Sequence, residues 1–242
     1  YRMDLTDLEA KASDPATRML LLCNPHNPVG RLWRAEELAE VARICARHDV
    51  FVVSDEIHAD IVLHDGRFTP FGPIATEAGT SWAALHGPIK SFGLAGVCES
   101  LLVAGDPEVV RTFRSVHSRF HLARVNVFGT TAFRSAYEKG GTWLDETLRL
   151  VEGNLEVLRE GLPEGIVLRE LEGTYLAWLD FRGLGMDVPE LTKWLAAEAR
   201  LGLSPGHWFG REGAGFARMT VAAPESTVRD AEDRLTRAVA GR

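Results

Sequence analysis

Lys90 is the first residue of interest, because it lies in the run HGPIKSFGLAG, at residues 86–96, between a predicted strand and a glycine-rich segment. A lysine amine can form a Schiff base with an aldehyde when burial or a nearby cation lowers its pKa. A single lysine is nevertheless far more often a solvated surface side chain. Lys90 is therefore a candidate nucleophile whose assignment depends on what surrounds it.

Asp55 directly follows the apolar run VFVV at residues 50–53 and begins the segment DEIHAD. A carboxylate at the end of a strand can face a bound ligand, and an ion pair with a pyridine nitrogen would keep that nitrogen protonated. The commoner role of a lone aspartate is to cap the turn that follows it. Both interpretations of Asp55 stay open on the residue type alone.

A third segment, NPHNPVG at residues 24–30, lies between a predicted strand and a predicted helix. Asn27 carries a short amide that can donate to an anionic ring oxygen, and Gly30 permits backbone angles that are closed to other residues. An ordinary turn between a strand and a helix uses the same residue types. The segment on its own does not distinguish a ligand site from a turn.

The elements that must position these residues alternate between strands and helices. Apolar runs predict strands at 18–23, 50–53, 81–85 and 100–104, and an amphipathic helix is predicted at 35–48. Such an order is typical of a parallel sheet covered by helices. Ligands of these sheets bind at the carboxyl ends of the strands, which is where all three candidate segments begin.

The pattern changes after Lys139-Gly140-Gly141, where a long helix is predicted through Leu158. Strands near 166–169, 175–181 and 216–221 and helices at 188–200 and 227–239 then indicate a smaller α+β unit. We therefore predict a partial large domain over residues 1–140 and a small C-terminal domain over residues 141–242.

Taken in order, the three segments resemble the aminotransferases of classes I and II, which have the type I fold of pyridoxal-phosphate (PLP) enzymes. That family has an NP-x-NP-x-G loop, a D-E pair at a strand end, and a lysine followed by an aromatic residue and LAG. The runs NPHNPVGR, DEIHAD and K-x-F-x-LAG are most similar to its cystathionine β-lyase-like (C–S lyase) branch. GTYLAWLD at 173–180 and FARM at 216–219 resemble the small domain of that branch. The resemblance covers essentially all 242 residues and corresponds to the C-terminal portion of the family's longer chains.

The resemblance implies a role for each candidate residue. Lys90 would form the covalent bond to pyridoxal phosphate and move protons at the substrate carbon, and Asp55 would pair with the pyridine nitrogen. Asn27 and His58 would contact the cofactor's phenolic oxygen. Arg218 would bind the substrate carboxylate with a bidentate fork, with Asn27 beside it; considered alone, an arginine there is more often part of a surface ion pair.

The implied activity is β-elimination from cystathionine or cysteine-type amino acids, which yields pyruvate, ammonia and a thiol. His58 favours this lyase branch, since many transaminases have a tyrosine at that position. A class I/II aminotransferase is the first alternative. A non-catalytic, aminotransferase-like domain that binds a ligand or only dimerises is the second. The resemblance also implies a homodimer and a small amino-acid substrate.

Two departures from the family concern the phosphate of the cofactor. Residues 86–89, His-Gly-Pro-Ile, contain no hydroxyl before Lys90; Ser91 is the nearest candidate substitute, and Cys98 stands where transaminases often have arginine. The family's earlier residues, which cradle the phosphate at a helix N-terminus, have no counterpart in this chain. We therefore expect the 242 residues alone to bind PLP poorly and to expose apolar strand surface.

Composition and residue spacing argue against several other classes of protein and site. A net charge of −7 argues against a nucleic-acid binder, and no apolar run approaches the ~20 residues that span a bilayer. Three scattered cysteines without a CxxC spacing indicate reduced thiols and a cytoplasmic protein. His26, His58, His64, Asp60 and Asp65 could be drawn as a metal site, but the family resemblance accounts for the segment better, and we predict no metal.

Overall fold

The computed structural model describes residues 1–122 and 126–242, which divide into two compact units. The first unit comprises residues 1–26, 31–62 and 66–144, and the second comprises 27–30, 63–65 and 145–242. Two short segments of the early chain thus belong to the second unit. Each unit is described separately below.

The first unit contains a sheet of four strands and six helices among its described residues. In chain order these elements are α1 (Leu5–Ala12), β1 (Met19–Cys23), α2 (Ala35–Arg47), β2 (Phe51–Asp55), α3 (Phe71–Ala78), β3 (Trp82–His86), α4 (Pro88–Ser91), β4 (Leu101–Ala104), α5 (Pro107–Arg119) and α6 (Val127–Lys139). The strand order in the sheet is β1-β2-β3-β4.

The first three strands of this sheet run parallel, and β4 pairs antiparallel with β3. Cys23 is opposite Asp55, and Asp55 is opposite Leu85, so the carboxyl ends of β1, β2 and β3 align at one edge. The predicted mostly parallel α/β sheet is confirmed. The antiparallel direction of β4 is what makes the sheet mixed.

Helix α2 shows why this unit folds around its sheet. Its predicted apolar stripe, which includes Leu38, Val41, Ala42 and Cys45, is completely buried, and it packs in one core with Val52 of β2. Each large aliphatic side chain buried in this way contributes about 1.5–3 kcal/mol. This packing fixes β2, and with it the strand end where Asp55 lies.

Apolar side chains are also exposed on the two outer strands of the described sheet. Leu21 on β1 is 75% exposed, and Leu101 on β4 is 52% exposed. An outer strand with exposed apolar side chains is prone to association. The expectation that this chain exposes apolar strand surface is confirmed.

The second unit contains a smaller antiparallel sheet with three helices. Its elements are α7 (Gly141–Gly161, whose last 17 residues belong to this unit), β5 (Val167–Leu168), β6 (Leu176–Asp180), α8 (Val188–Ala197), β7 (Ser204–Pro205), β8 (Phe216–Thr220) and α9 (Glu225–Ala240). The strand order is β5-β6-β8-β7. Leu155 of α7, Leu179 of β6 and Leu235 of α9 are fully buried in one core.

The segment Asn27–Gly30 joins this second unit through its backbone. The amides of Glu172 and Gly173 each donate to the carbonyl oxygen of Gly30 at 2.9 Å. Gly30 has a φ of +70°, and a Cβ atom there would lie 2.1 Å from Leu171 Cδ1. The sequence argument for glycine at this position is therefore confirmed, and the close packing adds a second reason for it.

None of the helices in the described ranges is both long enough and apolar enough to cross a membrane.

Candidate active site

Asp55 is the last residue of β2 and is exposed at the aligned strand ends. Its Oδ1 accepts a 3.2 Å hydrogen bond from the backbone amide of Ile57, so the residue does cap its own turn. Among the described residues, no donor contacts the other oxygen, Oδ2. The two interpretations left open by the sequence are therefore compatible, since the turn uses only Oδ1 of an exposed carboxylate.

Lys90 lies in α4, a helix of four residues that begins two positions after the end of β3. Pro88 occupies the first helical position, where its missing amide hydrogen costs no hydrogen bond. The Lys90 side chain is half-buried, and no carboxylate in the described part of the chain forms an ion pair with it. Its amine is thus not committed to another side chain there.

Ser91 is the residue suggested to replace the protein hydroxyl that binds the cofactor phosphate in the family. Its contacts contradict that role. The residue is 2% exposed, and its Oγ donates a 2.8 Å hydrogen bond to Oδ2 of Asp60. A buried hydroxyl already bonded to a carboxylate is not placed to bind an anion. Cys98 is likewise buried, with Sγ 3.5 Å from the carbonyl oxygen of Gly129.

Glu56 is a buried carboxylate that the sequence analysis did not single out. Its Oε1 accepts from Ser54 Oγ at 2.8 Å and from the amide of Phe71 at 2.9 Å, and its Oε2 lies 3.0 Å from His86 Nε2. The neighbouring carboxylate of Glu56 raises the pKa of His86, although burial opposes the shift. The pair connects the end of β2 to the end of β3. His58, two residues further along, is itself only 5% exposed.

Arg218 and Asn27 are brought together in the second unit. Arg218 Nη1 donates a 2.8 Å hydrogen bond to Oδ1 of Asn27, across 191 positions of sequence. Arg218 lies in the middle of β8, opposite Trp178 of β6 and Ser204 of β7. The contact uses the amide oxygen of Asn27.

The surroundings of Arg218 do not match a surface ion pair. The guanidinium lies 4.6 Å from the ring centroid of Phe209, and its Nη2 is 3.4 Å from Ser204 Oγ. Among the described residues it has no carboxylate partner. Burial lowers the pKa of Arg218, while the neighbouring Tyr175 raises it. A half-buried cation held by neutral neighbours is suited to an anionic ligand.

The predicted residues therefore fall into two groups. Asp55, His58 and Lys90 lie in the first unit, and Asn27 and Arg218 lie in the second. No group of three or more His, Cys, Asp or Glu side chains that could hold a metal ion occurs within residues 1–122 and 126–242.

Comparison with known proteins places this arrangement in context. The model of a family described as aminotransferase class I and II matches residues 1–235. Cystathionine beta-lyase PatB of Bacillus subtilis is 35% identical over 99% of this chain. Protein MalY of Escherichia coli is 33% identical over 92% of it.

A solved structure supports the same relationship. Cystalysin from Treponema denticola, which contains a pyridoxal 5'-phosphate cofactor, superimposes on all of this chain with a TM-score of 0.94 and 30% sequence identity. The chain spans 62% of the length of PatB, 57% of MalY and 62% of the cystalysin chain.

Proposed function

Because the chain belongs to the aminotransferase class I and II family, we propose that it is part of a pyridoxal-phosphate-dependent C–S lyase. The substrate is cystathionine or another cysteine-type amino acid. Its bond between the β carbon and sulfur breaks, the sulfur leaves as a thiol, and one water molecule is consumed as the remaining carbon skeleton becomes pyruvate and ammonium. The similarity to PatB, which is named a cystathionine beta-lyase, supports this reaction over others of the family.

The side chains of the first unit are compatible with this cofactor. A lysine with no ion pair among the described residues follows β3, and an exposed carboxylate ends the neighbouring strand β2. The cofactor's aldehyde and its pyridine nitrogen need one group of each kind. When bound, pyridoxal phosphate supplies an electron sink that stabilises negative charge on the substrate carbon that has lost a proton. This juxtaposition is the observation that carries the proposal.

Lys90 holds the cofactor and then moves a proton. Its amine would hold the cofactor and would take the proton from the substrate α carbon. The charge of Asp55 would keep a proton on the pyridine nitrogen, while its Oδ1 continues to accept from Ile57. His58 would contact the phenolic oxygen.

Arg218 binds and orients the substrate. Its guanidinium takes the α-carboxylate, and the hydrogen bond to Asn27 fixes the plane in which the fork lies. Asn27 would donate to the cofactor's phenolic oxygen through Nδ2, since only the nitrogen of its amide carries hydrogens.

The proposal includes the organisation of the protein. Residues 1–140 form part of the cofactor-binding domain and residues 141–242 form the small domain. The protein acts in the cytoplasm as a homodimer. Since Ser91 is bonded to Asp60, the phosphate contacts come from residues other than those directly around Lys90.

A class I/II aminotransferase remains the second candidate, because the matching family model is named for that activity. Both reactions need Lys90, Asp55 and Arg218 in the same roles. They differ in whether the amino group leaves as ammonia or is transferred to an oxo acid.

A product assay tests the proposal. The protein as its gene encodes it is purified with pyridoxal phosphate and incubated with L-cystathionine, first alone and then with a 2-oxo acid acceptor. Release of thiol and pyruvate without the acceptor supports the lyase. Turnover that depends on the acceptor identifies a transaminase. Absence of both products, with bound ligand, identifies the non-catalytic domain that we weighed as the remaining alternative.

A further inference from the structure

Asp60 connects three parts of the first unit through a single oxygen atom. Its Oδ2 accepts from Ser91 Oγ at 2.8 Å and from the hydroxyl of Tyr137 at 3.2 Å. These donors are 31 and 77 positions away along the chain. Asp60 itself lies in the loop after β2, five residues beyond Asp55.

Ser91 is the residue directly after Lys90 and the last residue of α4. A helix of four residues cannot hold its own shape, because isolated helices of that length are not stable in water. The position of α4 is therefore set by contacts outside the helix. The hydrogen bond from the buried Ser91 hydroxyl to a carboxylate is one of the stronger contacts available to it.

Tyr137, on α6, is a reliable donor to the same oxygen. Burial and the charge of Asp60 both raise the pKa of its phenol, so the hydroxyl keeps its proton over the ordinary pH range. The next residue after Ser91 packs on the same tyrosine, since the rings of Phe92 and Tyr137 are 5.8 Å apart in an edge contact. Phe92 also stacks on Trp143 at 5.8 Å.

We propose that Asp60 is a positioning residue for Lys90. Its Oδ2 accepts from Ser91 and Tyr137, and Tyr137 packs on Phe92. These contacts fix the two residues that follow Lys90 and thereby orient its amine. Asp60 does not touch the reacting atoms. This inference rests on the proposed function, in which Lys90 bonds to the cofactor.

Covalent trapping measures whether the Lys90 amine is positioned to bond to the cofactor. The protein as its gene encodes it is loaded with pyridoxal phosphate, reduced with borohydride and digested, and the fraction of the Lys90 peptide that carries the cofactor is quantified. Cofactor that is bound but not covalently linked is measured separately after removal of free ligand. A merely structural role would change total binding and thermal stability but not the linked fraction of the bound cofactor.

The variants form a graded series. Asp60→Ala removes the acceptor. We expect the linked fraction of the bound cofactor to fall, and kcat to fall about tenfold or more with KM little changed, because a misplaced reacting group loses rate steeply. Asp60→Asn keeps an acceptor oxygen and should lie between Asp60→Ala and the wild type. Asp65→Ala, at an exposed carboxylate further along the same loop, should behave as the wild type.

Ser91→Ala provides a second route if Asp60→Ala does not fold. It removes one donor and should lower trapping in the same direction. A wild-type linked fraction in both Asp60→Ala and Ser91→Ala would overturn the positioning role. A wild-type protein that never labels Lys90 would instead overturn the proposed function, so the two failures are distinguishable.

Discussion

The guanidinium of Arg218 donates a 2.8 Å hydrogen bond to the side-chain oxygen of Asn27. The two residues come from a strand near the end of the chain and from a loop near its beginning. Arg218 has no carboxylate partner in the described part of the chain, and its contacts with Asn27, Ser204 and Phe209 are with neutral groups. The predictions below begin with this contact.

Arg218→Lys keeps the positive charge and removes the planar fork. We expect kcat/KM for amino-acid substrates to fall by an amount equivalent to about 1.5–3 kcal/mol, the contribution of a hydrogen bond to a charged group. Arg229→Lys is the matched control, because that arginine forms an exposed ion pair with Glu225. Equal wild-type activity on an amino acid and on its amide would show that no residue reads the carboxylate.

Asp55→Asn separates the two roles of Asp55. An asparagine oxygen can still accept from the Ile57 amide, so the free energy of unfolding should change little. Loss of the charge should lower kcat by about 10²–10³-fold, as expected when a preorganised electrostatic contact is lost. Asp14→Asn, at an exposed aspartate that accepts from Ala16 in a similar turn, is the control. An unchanged kcat would leave Asp55 as a turn cap only.

Gly30→Ala tests how tightly the Asn27–Gly30 segment is held in the second unit. The new Cβ would lie 2.1 Å from Leu171 Cδ1 and 2.9 Å from the Gly173 carbonyl oxygen, at a φ of +70°. We expect urea denaturation to show a loss of about 2 kcal/mol or more. Gly79 has a similar φ of +74° but open space around it. Gly79→Ala should therefore lose less stability, and the difference between the two variants measures the cost of the steric clash at Gly30. Equal losses in the two variants would contradict the close packing.

Asp180 should make the second unit sensitive to acid. Burial alone would raise its pKa, but hydrogen bonds from Arg182 and Arg169 lower it to about 2, from an ordinary value of 3.8. A lowered carboxyl pKa contributes stability that is present above pH 3.8 and is lost as the pH falls towards 2. The contribution is about 2 kcal/mol. Denaturation at neutral and acid pH should show this loss in the wild type and a smaller loss in Asp180→Asn; identical pH dependence would contradict the assignment.

The sequence predicted the parts of the fold that have a strong local pattern. The apolar stripe of α2 and the runs that became β1, β2 and β3 were identified because a regular period or an unbroken apolar run is visible without any partner. Helix α3 was missed because Gly72 and Pro73 are typical of loops. Pro73 falls in the first turn, where its missing amide hydrogen is tolerated, and a Cβ at Gly72 would lie 2.4 Å from Trp82.

The sequence indicated candidate site residues but not their contacts. Motif order indicated Asn27, Asp55, Lys90 and Arg218, but no local pattern predicts that Arg218 bonds to a residue 191 positions away. The sequence did not indicate Glu56 because it directly follows Asp55 in the same motif. Only its burial in the structure distinguishes the two carboxylates. The sequence also could not show that the Ser91 hydroxyl bonds to Asp60, since that partner is 31 positions away.

Covalent mapping tests whether Lys90 is the residue that bonds to the cofactor. The protein as its gene encodes it, loaded with pyridoxal phosphate, is reduced with borohydride and its peptides are sequenced by mass spectrometry. We expect the cofactor label only on the peptide that contains Lys90, and no labelled peptide from Lys90→Ala. A label on Lys139 or Lys193, or no label in a protein that turns over its substrate, would contradict it.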